Sequence, residues 1–275
     1  MQLTVLDRPT WEARRAAHEA RVDAWIEPHL ARRRSGRKHP VEDFLFTYYS
    51  YRPAQLRRWH PGAGVVLAGA GAEAATVPPH RVDAIAWIRA LLAATAARTP
   101  HLGCFGLHEW AMVYRQTQDE LRHNAWPLRL GPAGTDAVVE ASRIRCSHFD
   151  AFRFYTAPAR PLNLLQPTRE TQADNEQPGC LHANMDLYKH AYKLAPFVPA
   201  ELIADCFELA RDIRTLDMRA SPYDLADLGY EPVRIETPEG RARYVEAQRV
   251  FAERATPLRG RLLAECESLL AAVRN

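Results

Sequence analysis

The sequence predicts a mostly α-helical protein, a multi-helix globular domain with minor β structure. Long stretches of the chain place apolar residues three and four positions apart, which is the spacing of one helix face. Hydrophobic residues make up 47% and charged residues 25% of the 275 residues, so a folded globular chain is expected rather than a disordered one. One short apolar run flanked by glycines is typical of a strand.

Two helical stretches and one strand are predicted in the first eighty residues. A helix runs from Thr10 to about Arg34, with a kink expected at Pro28 and a basic end. A second helical stretch covers residues 39–60, where Pro40 suits a first turn and Pro53 interrupts the pattern. Residues 62–77 then predict turns around one short strand.

The middle of the chain predicts shorter elements. Residues 81–99 form the clearest helix, and residues 104–116 are predicted to form a buried helix. Residues 130–142 predict a tight turn that leads into a short helix. The proline-rich segment at 156–179 has no clear period, and such a long connection is usually functional or disordered. We therefore expect it to border the functional site.

The last hundred residues predict three more helical regions. Residues 180–194 and 199–219 are helical, the second with a clear apolar stripe. Thr237 and Pro238 begin a long helical region that Pro257 is expected to break. We expect residues 1–275 to form a single helical enzyme domain, and the 156–179 loop is the candidate place for a sub-boundary.

Composition narrows the function classes. No run approaches the roughly 20 apolar residues of a membrane span, and the first residues lack the order of a secretory signal. Five cysteines without a CxxC pair are typical of reduced thiols, so we expect a cytoplasmic protein with no membrane partner. The net charge is only +3, and the many arginines suit either an anionic partner or simply a GC-rich genome.

Residues 144–156, IRCSHFDAFRFYT, place Cys146, His148 and Asp150 among aromatic side chains. Aromatic surroundings raise the cost of an unpaired charge and shift proton affinities, as active sites require. The same pattern is typical of a buried polar network that stabilises a core. Both interpretations remain open at the level of sequence.

Three cysteines are closely followed by a histidine, at Cys104 and His108, Cys146 and His148, and Cys180 and His182. Convergence of two or more pairs would predict a zinc or iron site, completed by Asp150 or Asp186. The candidate metal ligands are His108, Glu109, His182 and His190. Against a metal, no pair has the spacing of a known metal motif, and free cysteines are often simply buried.

His182, Asp186 and His190 are four residues apart and lie on one ridge of their predicted helix. The ridge could bind a metal, or Asp186 could accept hydrogen bonds from both imidazoles and fix their tautomers for acid–base chemistry. The neighbouring Lys189 and Lys193 are equally typical of a solvated helix face.

The first sixty residues combine a basic segment, ARRRSGRKH at 31–39, with aromatic residues and further arginines. A nucleic-acid groove provides such charges for phosphates and such rings for unstacked bases. Cations at a helix end and aromatics in a core explain the pattern as well. The residues concerned are Tyr48, Tyr49, Tyr51, Arg52, Arg57, Arg58 and Trp59.

Four blocks of the sequence resemble a known family: HPVEDFLFTYYSYRPAQLRRWHPG, HLGCFGLHEWAMVY, PGCLHANMDLYKHAYKL and DCFELARDIRTLDMRASPYDL. Over most of its length the chain is similar to bacterial proteins, common in actinobacteria, that are often labelled 3-methyladenine DNA glycosylase. In helix-hairpin-helix glycosylases a Gly-rich hairpin between two helices precedes the catalytic aspartate. Gly131 and Gly134, followed by Asp150, resemble that arrangement.

The resemblance implies a DNA N-glycosylase that hydrolyses the N-glycosidic bond of an alkylated purine, with DNA as partner and no required cofactor. Asp150 would stabilise the cationic sugar and His148 would orient Asp150 or the water, with His182 and Asp186 as further catalytic candidates. Candidate substrate-binding residues are Tyr48, Tyr49, Arg52, Phe152, Tyr155 and Arg169.

Two other classes of function stay open. A metal-dependent (iron or zinc) redox enzyme or oxygenase would act on a small molecule within a helical bundle. Its ligands would come from His108, Glu109, His148, Asp150, His182, Asp186 and His190. A non-catalytic nucleic-acid-binding protein would instead use the basic and aromatic N-terminal half.

Overall fold

The computed structural model describes residues 3–71 and 73–274, is 58% helical, and has two short strands in that part of the chain. The predicted mostly α fold is therefore confirmed. The described helices are α1 (Arg8–Arg34), α2 (Phe44–Tyr48), α3 (Pro53–Arg57), α4 (Val82–Ala96), α5 (Leu107–Ala111), α6 (Gly131–Glu140), α7 (Phe149–Phe152), α8 (Gln172–Asn175), α9 (Leu181–Lys193), α10 (Ala200–Arg219) and α11 (Pro238–Arg274). The strands are β1 (Thr4–Leu6) and β2 (Val65–Leu67).

Helix α1 ends at Arg34 as predicted and begins at Arg8, two residues before the predicted Thr10. Asp7 caps it by accepting a 2.8 Å hydrogen bond from the Thr10 amide, which satisfies one of the free amides of the first turn. Pro28 lies inside the helix, and three arginines in its last turn suit the negative end of the helix dipole.

The two strands form a small parallel sheet in which Thr4 pairs with Val65 and Leu6 with Leu67. Strand β2 lies inside the predicted strand region. Strand β1 has no sequence signal of its own, because three residues with mostly exposed side chains become a strand only through pairing with β2.

The helical stretch predicted at 39–60 is instead two short helices, α2 and α3. The predicted first turn at Pro40 is wrong: α2 begins at Phe44, and the preceding turn is closed by Asp43, which accepts a hydrogen bond from the His39 amide at 2.9 Å. Pro53 is the first residue of α3, where a missing amide hydrogen is harmless.

The middle elements are shorter than predicted. Helix α4 is confirmed, whereas the buried helix predicted at 104–116 contains only the five residues of α5. Gly131 begins α6 and Gly134 lies in its first turns, while residues 121–130 before it are turns and irregular structure. The two glycines therefore do not form a hairpin between two helices.

The C-terminal helices α9 and α10 are confirmed. Thr237 caps α11 by accepting a 3.1 Å hydrogen bond from the Gly240 amide. The break predicted at Pro257 is wrong, because α11 continues through this residue to Arg274. A proline removes one hydrogen bond from a helix, and in a helix of 37 residues the remaining turns maintain the helix on both sides.

The chain divides into two compact units with interleaved segments. Unit 1 contains residues 1–93, 185–211 and 256–275, and unit 2 contains residues 94–184 and 212–255. The loop at 156–179 lies within unit 2, so neither unit begins or ends there. The single enzyme domain stays a prediction.

No helix in the described ranges combines the length and the apolar character that crossing a membrane requires.

Candidate metal centre

Two imidazoles and one carboxylate converge inside unit 2. One ligand atom from each of His108, His182 and Asp217 lies within 4.8 Å of the other two. Across residues 3–71 and 73–274, this is the single group of three or more histidine, cysteine or acidic side chains with such spacing. His108 comes from α5, His182 from the first turn of α9, and Asp217 from α10.

His108 and Asp217 are in direct contact within this triad. His108 Nε2 lies 2.9 Å from Asp217 Oδ1, which is the separation of an ion pair between a protonated imidazole and a carboxylate. Two ligand atoms at right angles around an ion, each about 2.1 Å from it, are also about 3.0 Å apart. The contact therefore suits either a proton on His108 or a cation between the two groups.

Burial makes this arrangement costly without a cation. His108 is 4% exposed and Asp217 is fully buried. Arg214, itself 2% exposed, contacts Asp217 Oδ2 at 3.2 Å and Glu109 Oε1 at 2.7 Å. Two buried carboxylates against one guanidinium leave one negative charge, which a protonated imidazole or a bound cation would compensate.

The pKa values of His108 and Asp217 are shifted by burial and by their attraction to each other. Burial by itself would raise the pKa of Asp217, but the adjacent His108, together with His182 and Arg214, holds it well below its usual range. For His108, burial opposes the charged form, and the Asp217 carboxylate outweighs burial and raises the pKa above its usual value. Both shifts favour the pairing of a protonated His108 with an ionised Asp217.

The backbone that leads into α5 and places His108 is strained. Phe105 and Gly106, directly before α5, have positive φ angles of 48° and 69°. A non-glycine residue in this region costs about 1–3 kcal/mol, and such strain concentrates at functional sites. A Cβ added to Gly106 would lie 3.3 Å from the Tyr244 ring, so the backbone passes close to α11 here.

The three predicted cysteine–histidine pairs do converge. Cys104, Cys146 and Cys180 line one small cavity together with His108 and His182, and the His148 ring lies 5.3 Å from that of His182. Burial raises the pKa of Cys146 to about 12 and also raises the pKa values of Cys104 and Cys180. The three side chains are therefore neutral thiols around the imidazoles, and Asp217 takes the place predicted for Asp150 or Asp186.

The cavity has room for a single small particle. Its volume is about 10 Å³, close to the volume needed for one water molecule. His182 is half-buried and Arg145 at the edge is exposed, so the cavity meets solvent on this side. Of the triad, His108 and His182 line the cavity, whereas Asp217 lies behind its lining.

The predicted loop contributes to the surroundings of the triad. Glu176 Oε1 lies 3.5 Å from His148 Nε2, and Gln177 lines the cavity. The Gln177 side chain accepts from the amides of His101 and Gly179 at 2.8 and 2.7 Å, which fixes this end of the loop. The C-terminal end of the 156–179 loop thus lies beside His148 and the small cavity, and its role at a functional site stays a prediction.

A comparison of the chain with protein-family models, with curated proteins and with solved structures finds no match. The chemistry must therefore be inferred from the side chains themselves.

The remaining candidate metal and catalytic residues have other partners. Glu109 is ion-paired with Arg214, and the His190 ring lies 6.1 Å from that of Trp87. Asp186 accepts a 2.8 Å hydrogen bond from the Tyr49 hydroxyl and pairs with Lys189. Thus the ridge of His182, Asp186 and His190 does not act as one ligand set.

Asp150 lies on the short helix α7, directly after His148 and Phe149. Its side chain is 11% exposed and its carboxylate is 3.1 Å from Arg153 Nε. Arg169, exposed, lies over the Phe149 ring at 5.7 Å. Asp150 is therefore well shielded but is not part of the triad.

The other predicted substrate-binding residues are mostly inaccessible. Tyr49, Phe152 and Tyr155 are buried, so a base could not stack on them without rearrangement. Tyr48 stacks on Phe44 at 4.9 Å, and Arg52 is exposed at the start of α3.

Asp217 is the functional candidate that sequence reasoning missed. The stripe of α10 includes the buried positions Cys206, Ala210 and Ile213, and Asp217 follows Ile213 by one helical turn on the same face. A carboxylate on the apolar face of a helix can be recognised in the sequence. It indicates a functional or paired group, because burying an unpaired charge costs free energy.

Proposed function

We propose that this protein is a metal-dependent enzyme, a non-haem iron oxygenase or related redox enzyme acting on a small molecule. The supporting observation is the convergence of His108, His182 and Asp217, two of which line a small cavity that reaches the exposed Arg145. These three side chains would hold Fe(II), and the iron would supply the oxygen-activating chemistry of non-haem oxygenases.

The donor set suits iron, as in non-haem Fe(II) oxygenases with two histidines and one carboxylate. Two histidines and one carboxylate also hold catalytic zinc, so metal analysis decides between the two ions.

The surroundings suggest what the substrate carries. Arg145 lines the mouth of the cavity, is exposed, and makes no side-chain hydrogen bond or ion pair with the residues that the structure describes. A guanidinium at this place suits a carboxylate or phosphate on the substrate.

Metal analysis tests the proposal. The chelator-treated protein, reloaded with Fe(II) without oxygen, should bind about one iron per chain, and nitric oxide should add to the open position and give an EPR signal. Asp217→Asn should weaken iron binding by roughly a hundredfold or more, because it removes a charged ligand. Glu109→Gln is the matched control, since it removes the other carboxylate on Arg214 and should keep the iron.

The outcomes separate the alternatives. Full iron binding in Asp217→Asn, or equal loss in Glu109→Gln, would contradict the triad. If Asp217→Asn does not fold by circular dichroism, His182→Ala, compared with the similarly half-buried His123→Ala, gives the same test. Stoichiometric zinc that iron cannot displace would contradict the oxygenase and favour metal-assisted hydrolysis.

A second candidate function is the DNA N-glycosylase of the family resemblance. It is favoured by Asp150, a shielded carboxylate next to Phe149 and the exposed Arg169, which could meet a base and a phosphate. Asp150→Asn should slow release of an alkylated purine from DNA by on the order of a hundredfold with DNA affinity unchanged, because only the charge is lost.

The control for this test is Asp174→Asn, an exposed carboxylate on α8. Release at the same rate by Asp150→Asn and wild type, or no release by wild type, would exclude the glycosylase with Asp150 as its catalytic residue. Unfolding of Asp150→Asn would identify Asp150 as a core residue.

A further inference from the structure

Unit 1 contains a cavity of about 720 Å³, much larger than the small cavity beside His108 and His182. Its walls come from the end of α3, from β2, from Arg81 and from the C-terminal end of α9. This volume lies within the range of small-molecule binding pockets, about 300–1,000 Å³. The proposed metal enzyme does not depend on it.

One wall of the cavity is aromatic and firmly supported. The rings of Tyr51 and Tyr192 stack at 5.0 Å and 12°, and Tyr49 packs edge-on against Tyr192 at 6.2 Å. The Tyr49 hydroxyl donates to the buried Asp186, whose other oxygen binds Lys189. The buried Asp186–Lys189 pair thus fixes Tyr49, while Tyr51 and Tyr192 are largely buried and present only the small accessible part of their rings to the cavity that they line.

Trp59 extends this aromatic lining. Its indole Nε1 donates to Glu201 Oε1 at 2.9 Å, and the guanidinium of Arg14 lies over the ring at 5.5 Å from its centroid. Arg14 also pairs with Glu201 at 2.9 Å. The indole is therefore held in place by protein contacts.

The charged groups on the lining are mostly positive. The lining contains three positive side chains, Arg58, Arg81 and Lys193, and one carboxylate, Glu73. Arg81 is anchored, since its Nη2 donates to the Lys193 carbonyl and its guanidinium lies 5.5 Å from the Phe197 ring. Arg58 is exposed, and its guanidinium has no hydrogen bond or ion pair with any residue in the described ranges. One cation is thus available for an anion.

We propose that this cavity binds a planar aromatic anion of nucleotide size, with the ring against Tyr51 and Tyr192 and the negative group on Arg58 and Lys193. A nucleoside monophosphate and an aromatic carboxylic acid share this chemistry. In both, the ring contacts an apolar wall and the anion receives charge-assisted hydrogen bonds.

Calorimetric titration of the full-length protein with AMP and with 2-naphthoate tests the proposal and separates the two sources. Adenosine lacks the charge and inorganic phosphate lacks the ring, so both should bind at least about tenfold more weakly than AMP if AMP is the better ligand. Tighter binding of 2-naphthoate would identify an aromatic acid instead.

The deciding variant is Arg58→Gln, which should weaken binding of the better anion about tenfold, because a charged hydrogen-bond donor is lost. Arg33→Gln, at the exposed end of α1, changes the net charge equally outside the cavity and should leave binding unchanged. Lys193→Gln provides a second lining variant with an exposed side chain.

Three results would overturn the proposal: no binding of either anion at millimolar concentration, binding of adenosine as tight as that of AMP where AMP is the better of the two anions, or equal affinities in Arg58→Gln, Lys193→Gln and wild type. Since the metal triad uses none of these residues, loss of anion binding in Arg58→Gln with normal iron content would concern this cavity alone.

Discussion

At the scale of the residue, Arg214 decides whether two buried carboxylates can coexist. It is 2% exposed and contacts both Glu109 and Asp217. The Trp110 indole Nε1 donates to the Ala220 carbonyl at 2.9 Å, and this bond joins α5 to the end of α10 beside the ion pairs. The carboxylates are thereby held close to His108 in spite of the cost of burying them.

Arg214→Gln should lower the free energy of unfolding by about 3–5 kcal/mol, because breaking a buried pair leaves uncompensated charge. Urea denaturation with a chelator present measures the change. The control is Arg254→Gln, which removes a surface pair with Asp212 at 2.6 Å and should cost at most about 1 kcal/mol. Equal losses in the two variants would show that Arg214 has no special role.

At the scale of the element, Asp43 joins the end of α1 to the start of α2. It accepts hydrogen bonds from Arg32 Nη2 at 2.7 Å, from the His39 amide at 2.9 Å, and lies 2.9 Å from His29 Nδ1. Burial opposes the ionised form, but these donors lower the pKa of Asp43 below its usual value. Arg32, counted at the sequence level as part of a basic segment, is therefore a structural residue.

Asp43→Asn should destabilise the protein by about 2–4 kcal/mol at pH 7, since Arg32 loses its carboxylate. A lowered pKa contributes stability above the unfolded value, about 3.9, and this contribution is lost as the pH falls through the folded value. The difference between wild type and variant should therefore shrink at pH 3. A difference of equal size at pH 7 and pH 3 would mean that Asp43 acts through packing instead of charge.

At the scale of the whole molecule, the two cavities have different chemistry and each lies within one unit. The cavity of unit 2 is small, lined by thiols and imidazoles, and suits an ion. The cavity of unit 1 is large, aromatic and positive, and suits an organic anion. Iron content and anion binding are independent measurements, so each assignment can fail alone.

The sequence by itself determined the mostly helical fold. The helices α1, α4, α9 and α10 follow from apolar residues at helical spacing and from caps and prolines at their ends, which act within a few residues of the chain. It also identified three cysteine–histidine pairs, because thiols and imidazoles are scarce and their pairing is visible without a structure.

Tertiary structure alone decided which side chains converge. His108, His182 and Asp217 come from three separate helices, and only the packing of α5, α9 and α10 brings their ligand atoms within 4.8 Å. Local patterns favoured Asp150 and Asp186 as the carboxylate, since Asp150 lies two residues after His148 and Asp186 lies four residues from both His182 and His190. Asp150 instead contacts Arg153, and Asp186 contacts Tyr49 and Lys189. A buried charge is stabilised by whatever opposite charge or hydrogen-bond donor the fold places next to it.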